Sequence, residues 1–155
     1  LRHLKSFIKR HNHRAEIIEC THKPRYLQNL YSGDRQSLEI LKGKKIASIC
    51  AIAAPESFES FLRDFGAELV HFDRYADHHR YSQQEVIDFI NAAHEKGAEL
   101  VLTTEKDAVR FPLLGRRDLP VLWMRVEIDI LSGRETFNDC ISRLCLRPTP
   151  FDADG

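Results

Sequence analysis

Between residues 44 and 130 the chain carries four apolar runs of strand length, and helix-length segments follow the first two. Residues 44–52 read Lys-Lys-Ile-Ala-Ser-Ile-Cys-Ala-Ile, apolar on both faces, as in a strand covered on both sides. The other runs are residues 68–72, 98–103 and 119–130, and the last alternates in its second half like a strand exposed on one side. Parallel strands cannot be joined by a tight turn; they need a crossover of about a dozen residues. Two segments supply one. Pro55 and Glu56 open the first as a helix, Phe58, Phe61, Leu62 and Phe65 recur at helical spacing, and Gly66 ends it. Ser82 and Glu85 make a capping-box pair ahead of Val86, Phe89, Ile90 and Ala93 in the second. The sequence therefore predicts an α/β fold: an open, mainly parallel sheet with helices on both faces.

The rest of the chain flanks this unit. Leu1, Leu4, Phe7 and Ile8 share one face of a basic amphipathic helix over residues 1–12, with Lys5, Lys9 and Arg10 opposite. Such a helix reads first as a surface helix packed on a sheet, with a peripheral membrane-surface or partner contact as its functional alternative. A short strand is expected over residues 15–20, an irregular crossing segment over 23–41, and a closing helix over 134–146. The resulting division is 1–43 as a basic helix, short strand and connecting segment, 44–147 as the α/β domain, and 148–155 as a tail. The chain opens inside its first helical pattern without a methionine, so it is expected to be a piece of a longer protein.

A formal net charge of 0 argues against a general nucleic-acid binder. Cys20, Cys50, Cys140 and Cys145 form no Cys-x-x-Cys pair, and buried free thiols in a reducing compartment are expected. Cys20, His22 and Cys50 match no metal spacing, so no metal site is assigned.

Ligands of open α/β sheets collect beyond the carboxyl ends of the strands. Three loops fall there: 51–55, 73–81 and 103–107. The second, Asp73-Arg74-Tyr75-Ala76-Asp77-His78-His79-Arg80-Tyr81, is dense in titratable groups. Asp77 next to His78 can hold one imidazole tautomer and raise the ring's basicity. In the third loop Lys106 can offset phosphate charge or pair with Glu105 or Asp107, and Thr103 and Thr104 can cap the next helix. The chain has neither a Gly-x-x-x-x-Gly-Lys-Ser/Thr phosphate loop nor a Gly-x-Gly-x-x-Gly fingerprint.

Three ordered stretches carry a resemblance: Ala-Ile-Ala-Ala-Pro-Glu-Ser-Phe (51–58), Tyr-Ala-Asp-His-His-Arg-Tyr (75–81) and Leu-Thr-Thr-Glu-Lys-Asp-Ala-Val-Arg (102–110). Together they are similar to the C-terminal part of the tetraacyldisaccharide 4'-kinase family, over residues 44–130. Ala51 stands where that family usually has glycine, and Arg110 where it usually has lysine. The resemblance implies the C-terminal part of a P-loop-kinase-like protein, without the phosphate loop. It implies phosphorylation of the 4'-hydroxyl of the lipid A disaccharide precursor. ATP and Mg2+ are then held mainly by an N-terminal P-loop domain of the same enzyme, at the cytoplasmic face of the bacterial inner membrane. It further implies that His78, with Asp77, assists the carboxylate that deprotonates the sugar hydroxyl. His79, Lys106, Thr104 and Asp107 are then expected to face substrate or phosphate. A fragment of this kind is expected to be inactive alone. The competing expectations are a non-catalytic α/β binding module that kept the fold, and an unrelated small α/β enzyme with His78 as general base.

Overall fold

The computed structural model describes residues 2–115 and 118–145. The expected tail at 148–155 lies outside the described residues. In chain order the elements are α1 (Arg2–His11), β1 (Glu19–Asn29), β2 (Arg35–Gln36), a 3-10 turn (Leu38–Leu41), β3 (Lys45–Cys50), α2 (Pro55–Asp64), β4 (Glu68–Arg74), α3 (Gln83–Glu95), β5 (Leu100–Thr104), α4 (Glu105–Ala108), β6 (Val121–Ser132) and α5 (Arg134–Cys145). The sheet order is β2-β1-β6-β5-β3-β4. β3 runs parallel to β4 and to β5, and β5 runs parallel to β6. β1 and β2 pair antiparallel. Residues 24–127 form one compact unit, and the described residues on either side of them belong to a second.

In the larger unit, the two-residue period of the strands sorts side chains onto two faces. Ala47 and Ile49 of β3 and Val101 of β5 join Val86, Phe89, Ile90 and Ala93 of α3. Ile46 and Cys50 of β3 and Leu100 and Leu102 of β5 join Phe58 and Leu62 of α2. The helices therefore cover both faces, as the doubly apolar strands require. The helix ends follow the sequence signals. Ser82 Oγ accepts the Glu85 amide at 3.2 Å and Glu85 Oε2 accepts the Ser82 amide at 2.7 Å. Gly66, at φ +81°, turns the chain out of α2 in a conformation that favours glycine.

Three expectations are corrected. The first strand does not stop before Pro24; it starts at Glu19 and runs through that residue to Asn29. β2 pairs only with Leu27 and Gln28, so no β2 residue stands opposite Pro24, and a residue without an N–H is tolerated there. The segment at 23–41 is thus ordered structure rather than an irregular crossing. The cysteines are free, but only Cys50 is buried; Cys20 and Cys145 are exposed and Cys140 is half-buried. β1 is exposed where Cys20 lies, and α5 has no buried residue. Finally, no residue of α1 is buried; Leu4 and Phe7 are exposed, and Ile8 is half-buried. In that smaller unit, Lys5 pairs with Glu19 and Arg143 with Glu16, and Lys9 donates to the Ala15 carbonyl.

Leu102 is fully buried in β5, between two neighbouring strands. Leu102→Ala is expected to lower stability by ~2–5 kcal/mol through lost transfer energy and a residual cavity. A urea melt should show a lower midpoint with an unchanged slope. A loss below about 0.5 kcal/mol would contradict this packing.

Candidate functional site

The carboxyl ends of β3, β4 and β5 lie side by side because these strands are parallel neighbours. One buried carboxylate ties the loops after β3 and β5 together. Asp107, wholly inaccessible, accepts the Ala51 amide on Oδ2 at 3.1 Å and the Thr104 hydroxyl on the same oxygen at 2.6 Å. Thr104 Oγ1 in turn accepts the Asp107 amide at 3.1 Å and caps α4. From the other side, the Tyr75 amide donates to the Cys50 carbonyl at 2.9 Å, joining the start of the 75–81 loop to the end of β3.

That loop is pinned residue by residue. The rings of Tyr75 and His79 stack at 4.4 Å, and Tyr81 meets Phe111 edge-on at 4.6 Å. His79 Nε2 lies 3.1 Å from Glu85 Oε1, in the capping box of α3. Glu85 is held below the ordinary carboxylate range, chiefly by the hydrogen bond from the Ser82 amide. Asp77 Oδ1 accepts Lys106 Nζ at 2.7 Å and the His78 amide at 3.0 Å. The Lys106 hydrogen bond is the main reason that Asp77 is also held below its usual value. His78 sits between these ties with φ +67°, a left-handed conformation that few residues other than glycine adopt, asparagine, aspartate and histidine most often among them. Its ring is 70% exposed, and Arg110 Nη2 lies 3.1 Å from its Nδ1. His78, Arg80, Tyr81 and Arg110 line an open groove of about 550 Å³. Two guanidiniums and an imidazole make this groove suited to an anion. Behind it, burial pushes the Cys50 thiol up to about 12, which leaves it protonated and unreactive at neutral pH.

The family model for tetraacyldisaccharide-1-P 4'-kinase (LpxK) matches residues 3–145. This chain belongs to the tetraacyldisaccharide-1-P 4'-kinase family. The tetraacyldisaccharide 4'-kinase of Syntrophus aciditrophicus (strain SB) is 34% identical over 116 residues, covering 75% of this chain and 31% of that relative. The one from Halothermothrix orenii is 32% identical over 120 residues, covering 72% and 31%. The chain thus spans just under a third of these relatives' length. A crystal structure of LpxK from Aquifex aeolicus, an "apo" form in complex with ATP, matches with a TM-score of 0.51 at 17% identity, covering 87% of this chain and 40% of that one. At that identity the likeness concerns the fold.

Within this kinase-family fold, the sequence-selected residues separate. Asp77, His78 and Lys106 meet at one exposed spot, so the two charged loops share an edge of the sheet. His79 turns to Glu85 instead, half-buried against the aromatic rings. Thr104 and Asp107 bond to each other, Asp107 also accepts the Ala51 amide, and Asp107 faces the interior rather than any groove. Lys106 pairs with neither Glu105 nor Asp107; Glu105 is taken by Arg125 at 2.5 Å. Asp77 does not hold the imidazole tautomer, because its Oδ2 is 3.6 Å from His78 Nε2, beyond hydrogen-bond range. Arg110 was missed as a site residue. Its spacing from Lys106, four positions on through a helical turn, is the signal that could have found it.

Asp107→Ala strands the buried Ala51 amide and is expected to cost ~1–3 kcal/mol. Lys106→Ala removes an exposed pair and is expected to stay within about 0.5 kcal/mol. Urea melts of both variants check the order, and the reverse order would contradict it. The pH dependence follows from the lowered Asp77 value. A depressed carboxyl contributes stability above its unfolded value and loses it as pH falls through the folded one. The Asp77–Lys106 tie should therefore persist through neutral pH and release only below the ordinary value of 3.8, read from the Asp77 carboxyl carbon shift.

Proposed function

We propose that this chain is the C-terminal part of an ATP-dependent tetraacyldisaccharide 4'-kinase, which phosphorylates the 4'-hydroxyl of the lipid A disaccharide precursor. Family membership supports the reaction class, and the exposed, rigidly held His78 is the observation that carries the site. Phosphoryl transfer asks the protein mainly for positioning and for charge near the transferred group. His78, with Asp77 beside it, is assigned the assisting role toward the carboxylate that deprotonates the sugar hydroxyl. Arg80 and Arg110 suit phosphate oxygens, since guanidinium donors pair well with them.

The nucleotide and its metal belong elsewhere in the enzyme on this reading. ATP supplies the transferred phosphoryl group, but this sequence has no loop to cradle a triphosphate. Magnesium needs clustered oxygen ligands, and among the described residues no three His, Cys, Asp or Glu side chains stand together to hold a metal. Both are assigned to an N-terminal P-loop domain of the same protein. Among the described residues no helix is long and apolar enough to cross a membrane. The exposed Leu4 and Phe7, among the basic residues of α1, suit a peripheral contact at the cytoplasmic face of the inner membrane.

Incubated with ATP, magnesium and the disaccharide precursor, this chain alone should leave the lipid unphosphorylated; robust turnover would overturn the assignment. In the complete enzyme, His78→Ala should lower kcat by ~10²–10⁴-fold with KM little changed. His79→Ala should lower it much less, because that ring is engaged with Glu85. Equal, small effects at both positions would favour a binding module that kept the fold.

A further inference from the structure

His78 meets a partner that can only donate. Arg110 Nη2 lies 3.1 Å from His78 Nδ1. A guanidinium has five N–H donors and no acceptor, so in this contact Nδ1 must accept. A neutral imidazole carries one proton, and with Nδ1 accepting, that proton sits on Nε2. No second partner opposes this arrangement at the ring. Asp77 Oδ2 is 3.6 Å from Nε2, and the other Asp77 oxygen is engaged by Lys106 and the His78 amide. The backbone from which the ring projects is held at φ +67° by the Asp77 contact and by the His79 amide donating to the Ala76 carbonyl at 3.1 Å. Arg110 is itself placed, its side chain 23% exposed, by the turn after α4, where its amide donates to the Asp107 carbonyl at 2.8 Å.

We infer that Arg110 is a positioning residue that fixes His78 as the Nε2–H tautomer. His78 then offers a hydrogen bond to a carboxylate and does not itself take the proton from the sugar hydroxyl. Nδ1 is occupied, and Nε2 already carries its proton. The inference rests on the kinase reading for its consequence and selects between two roles, orienting the base or relaying the proton. Lysine at position 110 would serve the same end, since an ammonium also donates and cannot accept.

The test reads the ring directly. This chain, labelled with ¹⁵N in its histidine rings, is examined by long-range proton–nitrogen correlation at pH about 9, well above the ordinary histidine value of about 6.5. His78→Gln assigns the His78 signal. The wild-type ring should show a protonated Nε2 and a bare Nδ1. Arg110→Lys should keep that pattern, and Arg110→Met should shift the ring to a mixture of tautomers. A wild-type ring protonated on Nδ1, or a pattern unchanged in Arg110→Met, would overturn the inference. If Arg110→Met fails to fold, Arg110→Ala replaces it, with the same two outcomes. The kinase reading fails separately. A complete enzyme that phosphorylates no lipid would sink that reading while leaving Arg110's control of the ring intact. The wrong tautomer in an enzyme that still loses turnover in His78→Ala would sink only the inference.

Discussion

The carboxylate of Asp107 is the constraint on which the site depends. A carboxyl group with no solvent exposure costs heavily unless its oxygens are hydrogen-bonded. Here both bonds fall on Oδ2, the Ala51 amide from the loop after β3 and the Thr104 hydroxyl from the end of β5, while Oδ1 has no hydrogen-bond partner among the described residues and lies 3.9 Å from Arg110 Nη1. The two bonds to Oδ2 therefore hold the loops after β3 and β5 in register. Asp107 belongs to α4, and the same short helix and its following turn carry Lys106 and Arg110 outward. The buried carboxylate and the two cations thus have different tasks on one turn: the first fixes the turn, and the others reach from it to the 75–81 loop.

Charge at the surface end is arranged in two parallel ties, Lys106 to Asp77 and Arg110 to His78. Exposed pairs of this kind contribute little to global stability. Their effect is geometric. They hold a non-glycine residue in a left-handed conformation with its imidazole open to a ligand. Backbone strain of this sort costs of order 1–3 kcal/mol and persists where the surroundings over-determine it. The aromatic stack of Tyr75, His79 and Tyr81 and the capping box of α3 supply those surroundings.

Much of this was legible in the sequence, for identifiable reasons. Strands buried on both faces cannot alternate, so residues 44–52 announced a parallel sheet covered by helices, and α2 and α3 cover it. Ser82 and Glu85 marked the start of α3 because capping is local chemistry. The shared edge of the Asp77 and Lys106 loops followed from strand direction alone. What was not legible depended on distance across the fold. Pro24 signals a break locally, but β2 does not reach that part of β1, and the strand tolerates it there. Asp77 and His78 are adjacent in sequence, yet the aspartate turns to Lys106, and the imidazole finds Arg110 instead. The polarity of Asp107 suggested a ligand contact; only the fold shows that its partners are a backbone amide and a threonine. Cys20 and Cys145 looked buried by type, and exposure is a property of the packed element, not of the residue.

The central claim is that Asp107 holds the strand-end loops together through the Ala51 amide. Native-state hydrogen exchange of that single amide tests it. It should exchange about as slowly as the β3 amides beside it, although it lies past the end of the strand. In Asp107→Ala its protection should fall while that of Ile46 and Ile49 persists. An Ala51 amide that exchanges freely in the wild-type chain, or that keeps its protection without the carboxylate, would contradict the account.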